Sequence, residues 1–190
     1  MAFLEYLKLI PVGWSYGWWF SVAFGLVNLF FILKYPRHFL KRLLKFPSFE
    51  SKFEKVISFT SVIVFMRGMM IYTIFVVIDP LKTWFFLGLP IFLTGLVFYI
   101  AAMKAYAETD INVPVTTGVY KITRHPMQIF SILMWIGVGM ASTSWIILVI
   151  CLAQPVLTFP FLKCQERFCL QKYGDEYAVY LTKTPRYLLI

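Results

Sequence analysis

The chain has 190 residues, of which 60% are hydrophobic, 19% aromatic and 14% charged, with a formal net charge of +9. A small soluble globule needs more polar surface than this to cover itself, and soluble domains carry about 25% charged residues. A soluble globular domain, an intrinsically disordered chain and a disulfide-rich secreted domain are therefore excluded.

Apolar runs follow one another along the chain. The first spans residues 14–33 and opens on Trp14, Tyr16, Trp18 and Trp19, an interfacial aromatic belt. A basic loop, Lys34 to Lys55, carries Pro36 and Pro47. The second run covers 56–78, Asp79-Pro80 turns the chain, and the third covers 84–103. A polar segment with Pro114 and Gly118 leads to a short fourth run, 127–140. Ala141-Ser142-Thr143-Ser144 separates it from a fifth, 145–162, and a charged tail runs to Ile190. The predicted fold is all-α: a polytopic integral membrane protein of five transmembrane helices, one membrane-embedded domain over 1–190. The last two helices form a hairpin, and a cytosolic amphipathic segment ends the chain. The fourth run falls short of the about 20 residues that a bilayer core requires, so tilt or burial by its neighbour is expected.

The basic residues set the orientation. Lys34 to Lys55 holds seven Lys and Arg, Lys104 to Arg124 three and the tail five, whereas the opposite side holds Lys8 and Lys82. The positive-inside rule puts the N-terminus outside and the C-terminus in the cytosol. It also accounts for the basic charge better than nucleic-acid binding does, so membrane lipids rather than nucleic acid are the expected partners. No signal peptide is expected, because no small-residue cleavage site follows the first run. Cys151, Cys164 and Cys169 form no paired framework, and no metal site is predicted.

Candidate functional residues gather in the two cytosolic segments 104–126 and 163–190. Pro126 opens the fourth helix at the position where a missing N–H costs nothing. Arg124 and His125 then sit beside free backbone N–H groups and the positive end of the helix dipole, a local site for a carboxylate or phosphate; equally, both residues suit plain interfacial anchoring. Glu166 follows the fifth run, and the hairpin brings it near Arg124 and His125. It reads either as an ion pair with Arg124 or Arg167, or as the anionic half of a clamp for a zwitterion such as an amino acid. Arg67, between Met66 and Gly68 near the middle of the second run, is costly at that depth. It is predicted to face inward, with Gly68 permitting close packing. Asn28 and Gln154 read as interhelical glue. Tyr177, Tyr180 and Tyr187 make the tail amphipathic, either an interfacial helix or a lid over a cofactor.

Taken together, Gly118-Val119-Tyr120, Arg124-His125-Pro126, Glu166, Tyr173-Gly174-Asp175-Glu176-Tyr177 and the closing Pro185-Arg186 resemble the isoprenylcysteine carboxyl methyltransferase and phospholipid methyltransferase superfamily over about residues 113–190. The resemblance implies S-adenosylmethionine as donor, bound at the cytosolic face under the C-terminal segment, and a lipophilic acceptor entering between helices. Carried onto this chain, it implies that Val113, Val115, Gly118 and Tyr120 line the adenosine part. Arg124 and His125 would hold the carboxylate region, Glu166 the α-amino group, and Tyr177 part of the roof. Arg67, His125 and Glu166 are the candidate catalytic residues, with His125 as base if the acceptor must lose a proton and Arg67 steering an anionic acceptor. Gln128 stands where the family has a tyrosine, and Gln165 where it often has a glutamate. Two other classes share parts of this pattern: NADPH-dependent sterol-type membrane reductases, and a non-enzymatic lipid-binding adaptor using the basic loop.

Overall fold

A computed structural model describes residues 15–35, 40–42 and 49–188. The expected start of the first run at Trp14 lies outside the described residues, as do Lys8, Pro36 and Pro47. Helices dominate: α1 (Trp18–Lys34), α2 (Lys52–Ile63), a π turn (Val64–Gly68), α3 (Met69–Phe75), α4 (Thr83–Glu108), a 3-10 turn (Gly118–Lys121), α5 (Pro126–Ala141), α6 (Trp145–Leu157), α7 (Phe159–Tyr173) and α8 (Asp175–Lys183). The one extended contact among the described residues is an isolated antiparallel bridge between Tyr16 and Val77.

The expected all-helical architecture is observed. Among the described residues, one helix is long and apolar enough to cross a membrane: α4, with 26 residues and a length of about 39 Å. The pair α6 and α7 passes together as one bent segment, and α1 and α5 are apolar but shorter. The outer faces of these helices are greasy. Leu152 and Val156 are each 76% exposed, and Leu33 and Val97 lie open beside other large apolar side chains. Water would penalise such a surface, whereas lipid tails would not.

Two differences from the sequence reading have local causes. The fifth run does not continue straight to residue 162: α6 stops at Leu157 and α7 departs at a bend of 40°. Pro155 and Pro160 flank the break: Pro155, inside α6, removes a helical N–H and crowds the carbonyl four residues back, whereas Pro160 sits in the first turn of α7, where a missing N–H costs nothing. Thr158 sits buried at the corner, its hydroxyl donating to the Gln154 carbonyl at 2.8 Å. The charged tail is correspondingly helical, as the end of α7 and the whole of α8. Gly174 separates them at φ 54°, ψ −131°, a backbone conformation that a side chain resists.

The core lies where α1, α4 and α5 meet. Phe20 packs edge-on against Phe92 with centroids 4.6 Å apart, and Phe24 contacts both Tyr99 and Trp135. Glycines let α4 and α5 approach almost to backbone contact. A Cβ on Gly137 would fall 2.4 Å from the Phe92 nitrogen, and one on Gly88 would fall 2.4 Å from the Ala141 nitrogen. Small residues at such a seam are how helices associate when lipid gives them no hydrophobic drive. Asn28 serves the same end: it receives a hydrogen bond from the Tyr99 hydroxyl at 3.0 Å while its own amide donates to the Phe24 carbonyl.

Candidate functional site

The bend at Thr158 swings α7 beneath the N-terminus of α5. His125 is the N-cap of α5 and Pro126 its first residue, and the His125 carbonyl receives the Gln128 and Ile129 N–H groups at 3.1 Å. Glu166, two turns into α7, meets this helix start and is 5% exposed. Its Oε1 accepts from Arg124 Nη1 at 3.3 Å, from His125 Nε2 at 3.1 Å and from Arg186 Nε at 2.9 Å. Its Oε2 accepts from Arg186 Nη2 at 2.5 Å. The sequence placed Arg124, His125 and Glu166 together, and they are together. Arg186 is the partner it did not assign: a bidentate fork from the end of the chain. Arg167 turns elsewhere, to Glu54 at 2.8 Å and Glu50 at 3.2 Å, and so ties α7 to the start of α2.

Arg124 does two jobs. Its Nε donates to the Thr184 carbonyl and its Nη2 to the Leu181 carbonyl, both at 2.7 Å, so it caps the C-terminal end of α8. A cation there is favoured by the helix dipole. Its backbone N–H also donates to the Pro185 carbonyl, and the Thr123 hydroxyl donates to that of Arg186 at 2.8 Å. Tyr180 adds a hydrogen bond to the Tyr120 carbonyl at 2.7 Å. Tyr177 and Tyr180 are both buried, with ring centroids 5.5 Å apart. The tail therefore packs on the protein as a roof over residues 120–125 rather than lying free as an interfacial helix.

Burial favours the neutral forms here, and the ion partners oppose it selectively. Burial pushes the Glu166 carboxyl up, but hydrogen bonds from Arg186 and His125 outweigh it and hold the group well below the usual carboxylate range. For His125 burial wins over the Glu166 contact, and its pKa falls below 6.5. The ring is then neutral at pH 7. Since a carboxylate only accepts, the proton sits on Nε2 and the lone pair on Nδ1. Two guanidinium ions against one carboxylate leave the cluster with one positive charge in excess.

The remaining sequence candidates divide. Val115 and Tyr120 are buried and pack with Ala102, against Tyr106, Val119 and Met127. Burial raises the Tyr120 hydroxyl well above its ordinary pKa, so it remains a neutral donor. Val113 and Gly118 lie at the surface beside this group, with Gly118 at φ 60°. Arg67 does not face inward as the sequence reading expected. It is exposed and makes no ion pair among the described residues. Phe65 and Met69, each 1% exposed, define the buried face of this stretch, and Arg67, two residues beyond Phe65, points roughly to the opposite side. The π turn Val64–Gly68 contains this residue.

Four buried polar atoms have no hydrogen-bond partner among the described residues: Ser58 Oγ, Gln128 Nε2, Trp135 Nε1 and Gln154 Nε2. Gln154 is therefore not the interhelical glue that its position implied, at least through its amide nitrogen. Arg42, helical in the structure within the basic segment 34–55, donates to the carbonyls of Thr109 and Val113, a contact the sequence reading did not expect. No periodicity marks the residue, and the one available signal was its place among the Lys and Arg used for orientation.

Helices with greasy outer faces, holding a cluster of opposite charges where α5, α7 and the tail meet, fit a membrane location. Residues 83–176, about half of the chain, match the phospholipid methyltransferase family. The chain accordingly belongs to the superfamily of small membrane methyltransferases that includes the isoprenylcysteine and phospholipid enzymes. The match runs from the start of α4 through Glu166 to the first turn of α8, so it begins upstream of the motif block in the sequence and leaves Tyr177 and Arg186 outside. Searches of curated proteins and of solved structures returned no match.

Proposed function

We propose that this chain is an integral membrane enzyme that transfers a methyl group from S-adenosylmethionine to a lipophilic acceptor entering from the bilayer. The observation that carries the reading is the buried cluster of Arg124, His125, Glu166 and Arg186 beneath the tail. A zwitterionic amino-acid moiety asks for an anion and a cation a few ångströms apart, out of water, and this cluster supplies both. Glu166 Oε2 accepts one hydrogen bond among the described residues and retains acceptor capacity for an ammonium donor. The excess positive charge of Arg124 and Arg186 suits the carboxylate. Val113, Val115, Gly118 and Tyr120 form the adjoining wall for the nucleoside, and Tyr177 contributes to the roof. Bound there, S-adenosylmethionine supplies a methyl group on a positively charged sulfur.

The chain's own residues then have to position, exclude water and, for some acceptors, take a proton. Burial of the cluster keeps water out and strengthens its electrostatics. Neutral His125 offers Nδ1 as base for an amine or thiol, held in that tautomer by Glu166. A carboxylate acceptor needs no base. The superfamily includes isoprenylcysteine enzymes, and the carboxylate of a prenylated cysteine is the acceptor this reading favours, with a phospholipid amine or a lipophilic thiol as the alternatives. The supporting topology is five spans with the N-terminus outside and the C-terminus in the cytosol. It rests on the charge distribution together with the unbroken helical run 52–75 for the second span.

Membranes containing the protein, incubated with methyl-tritiated donor and in turn a prenylated cysteine, phosphatidylethanolamine and a small lipophilic thiol, test this directly. Label is expected in the prenylcysteine lipid extract and is expected to disappear with Glu166→Gln. Label in none of the three, from protein that remains folded, would contradict the reading.

A further inference from the structure

Arg42 does more than orient the chain. Its Nη1 donates to the carbonyls of Thr109 at 3.1 Å, Asp110 at 3.4 Å and Tyr106 at 3.5 Å. Its Nη2 donates to the Val113 carbonyl at 2.8 Å and to the Tyr173 hydroxyl at 3.2 Å. The guanidinium also lies 4.9 Å from the centre of the Tyr106 ring. From the side of α7, the Lys172 ammonium donates to the Ile111 carbonyl and, at 2.8 Å, to the Tyr173 hydroxyl, which itself donates to Ile111 at 3.2 Å. Tyr173 thus uses its single proton on the backbone and accepts from both cations.

The carbonyls so engaged are those of the last turn of α4 and of the irregular segment that follows it. A helix end leaves four carbonyls without helical partners, and a cation is favoured beside them. The planar fork of an arginine reaches several at once, which the point charge of a lysine does not. Val113 is the last residue of this clasp, and just beyond it Val115 and Tyr120 pack against Ala102 of α4. The clasp therefore fixes the direction in which the chain leaves α4 and enters the wall assigned to the nucleoside.

We propose that Arg42 is a positioning residue for that wall: by holding residues 106–113 against Tyr173, it sets the affinity for the donor without touching the transferred group. The proposal rests on reading Val113–Tyr120 as part of an S-adenosylmethionine site. The test uses the full chain purified in detergent, S-adenosylhomocysteine as the calorimetric probe, and donor kinetics with the acceptor that takes up label. Arg42→Ala is expected to weaken probe binding and raise the donor KM about tenfold, the effect of losing charge-assisted hydrogen bonds, while kcat at saturating donor changes little. Arg42→Lys is expected to recover part of the affinity, and Lys41→Ala, one residue away on an exposed side chain, to behave as wild type. Wild-type affinity in Arg42→Ala, or a fall in kcat at unchanged KM, would overturn the proposal. Should Arg42→Ala fail to fold, Arg42→Lys and Tyr173→Phe carry the test: weaker binding in both supports it, and wild-type affinity in both overturns it. A wild-type protein that binds no probe would instead refute the function on which the proposal rests.

Discussion

The mouth of the bundle and the seam between α4 and α5 are held together by opposite means. At the mouth, Glu166 gathers Arg124, His125 and Arg186, and each contact has a direction and a charge. At the seam, Gly88 and Gly137 let two backbones touch, and nothing there is charged. The seam tolerates no added atom, whereas the mouth tolerates no lost charge. Shape is the natural currency of association inside lipid, where hydrophobic burial gives helices little reason to pair. A charged cluster at the mouth is costly for stability alone, because buried ion pairs seldom outperform apolar packing. Its presence is easier to understand as binding chemistry.

Substitutions that break one region and spare the other sharpen this contrast. Glu166→Ala removes the carboxylate that offsets two guanidinium groups and leaves Arg186 without its hydrogen-bond acceptor, while Arg124 keeps the Thr184 and Leu181 carbonyls, and it is expected to cost about 3 kcal/mol, measured by chemical unfolding in detergent, with Glu166→Gln milder because it preserves shape. Gly137→Ala forces a Cβ onto the Phe92 backbone and is expected to cost about 1–3 kcal/mol, independent of pH. Gly174→Ala meets no atom within 4 Å, yet its positive φ predicts a loss of about 1–2 kcal/mol by strain alone. Arg67→Gln, on an exposed side chain without an ion partner, is expected to change stability by no more than about 0.5 kcal/mol.

Acidity separates the regions without mutation. The folded pKa of Glu166 lies below 4.5, so its contribution is complete above that value and is lost as the pH falls through the folded one. The folded pKa of His125 lies below 6.5, so its contribution is complete above 6.5 and fades as the pH falls from there. Both signs agree. Thermal stability is expected to decline from pH 7 to pH 5, and His125→Gln to remove the part of the decline that begins near pH 6.5.

Arg124, His125 and Glu166 were legible in the sequence because a proline marked the helix start and the Ala141–Ser144 break implied a hairpin. Arg186 was legible only as part of a motif, since nothing in a tail's spacing reveals how far it folds back. The bend at Thr158 had its signal in Pro155 and Pro160, but an apolar run reads as continuous when hydropathy alone is counted. Arg67 was read as inward because Gly68 adjoins it. Phe65 and Met69, four apart, carried the better information on which face is buried. Arg42 was illegible because most of its partners are backbone carbonyls, which every residue possesses and no side-chain pattern announces.

The central claim is that the Glu166 cluster seats a sulfonium nucleoside. The most direct measurement is calorimetric titration of S-adenosylhomocysteine and, separately, NADPH into the purified wild-type protein and Glu166→Gln. Saturable binding of S-adenosylhomocysteine alone, lost in Glu166→Gln, is the expected result. Binding of NADPH instead, or S-adenosylhomocysteine affinity unchanged by Glu166→Gln, would contradict it.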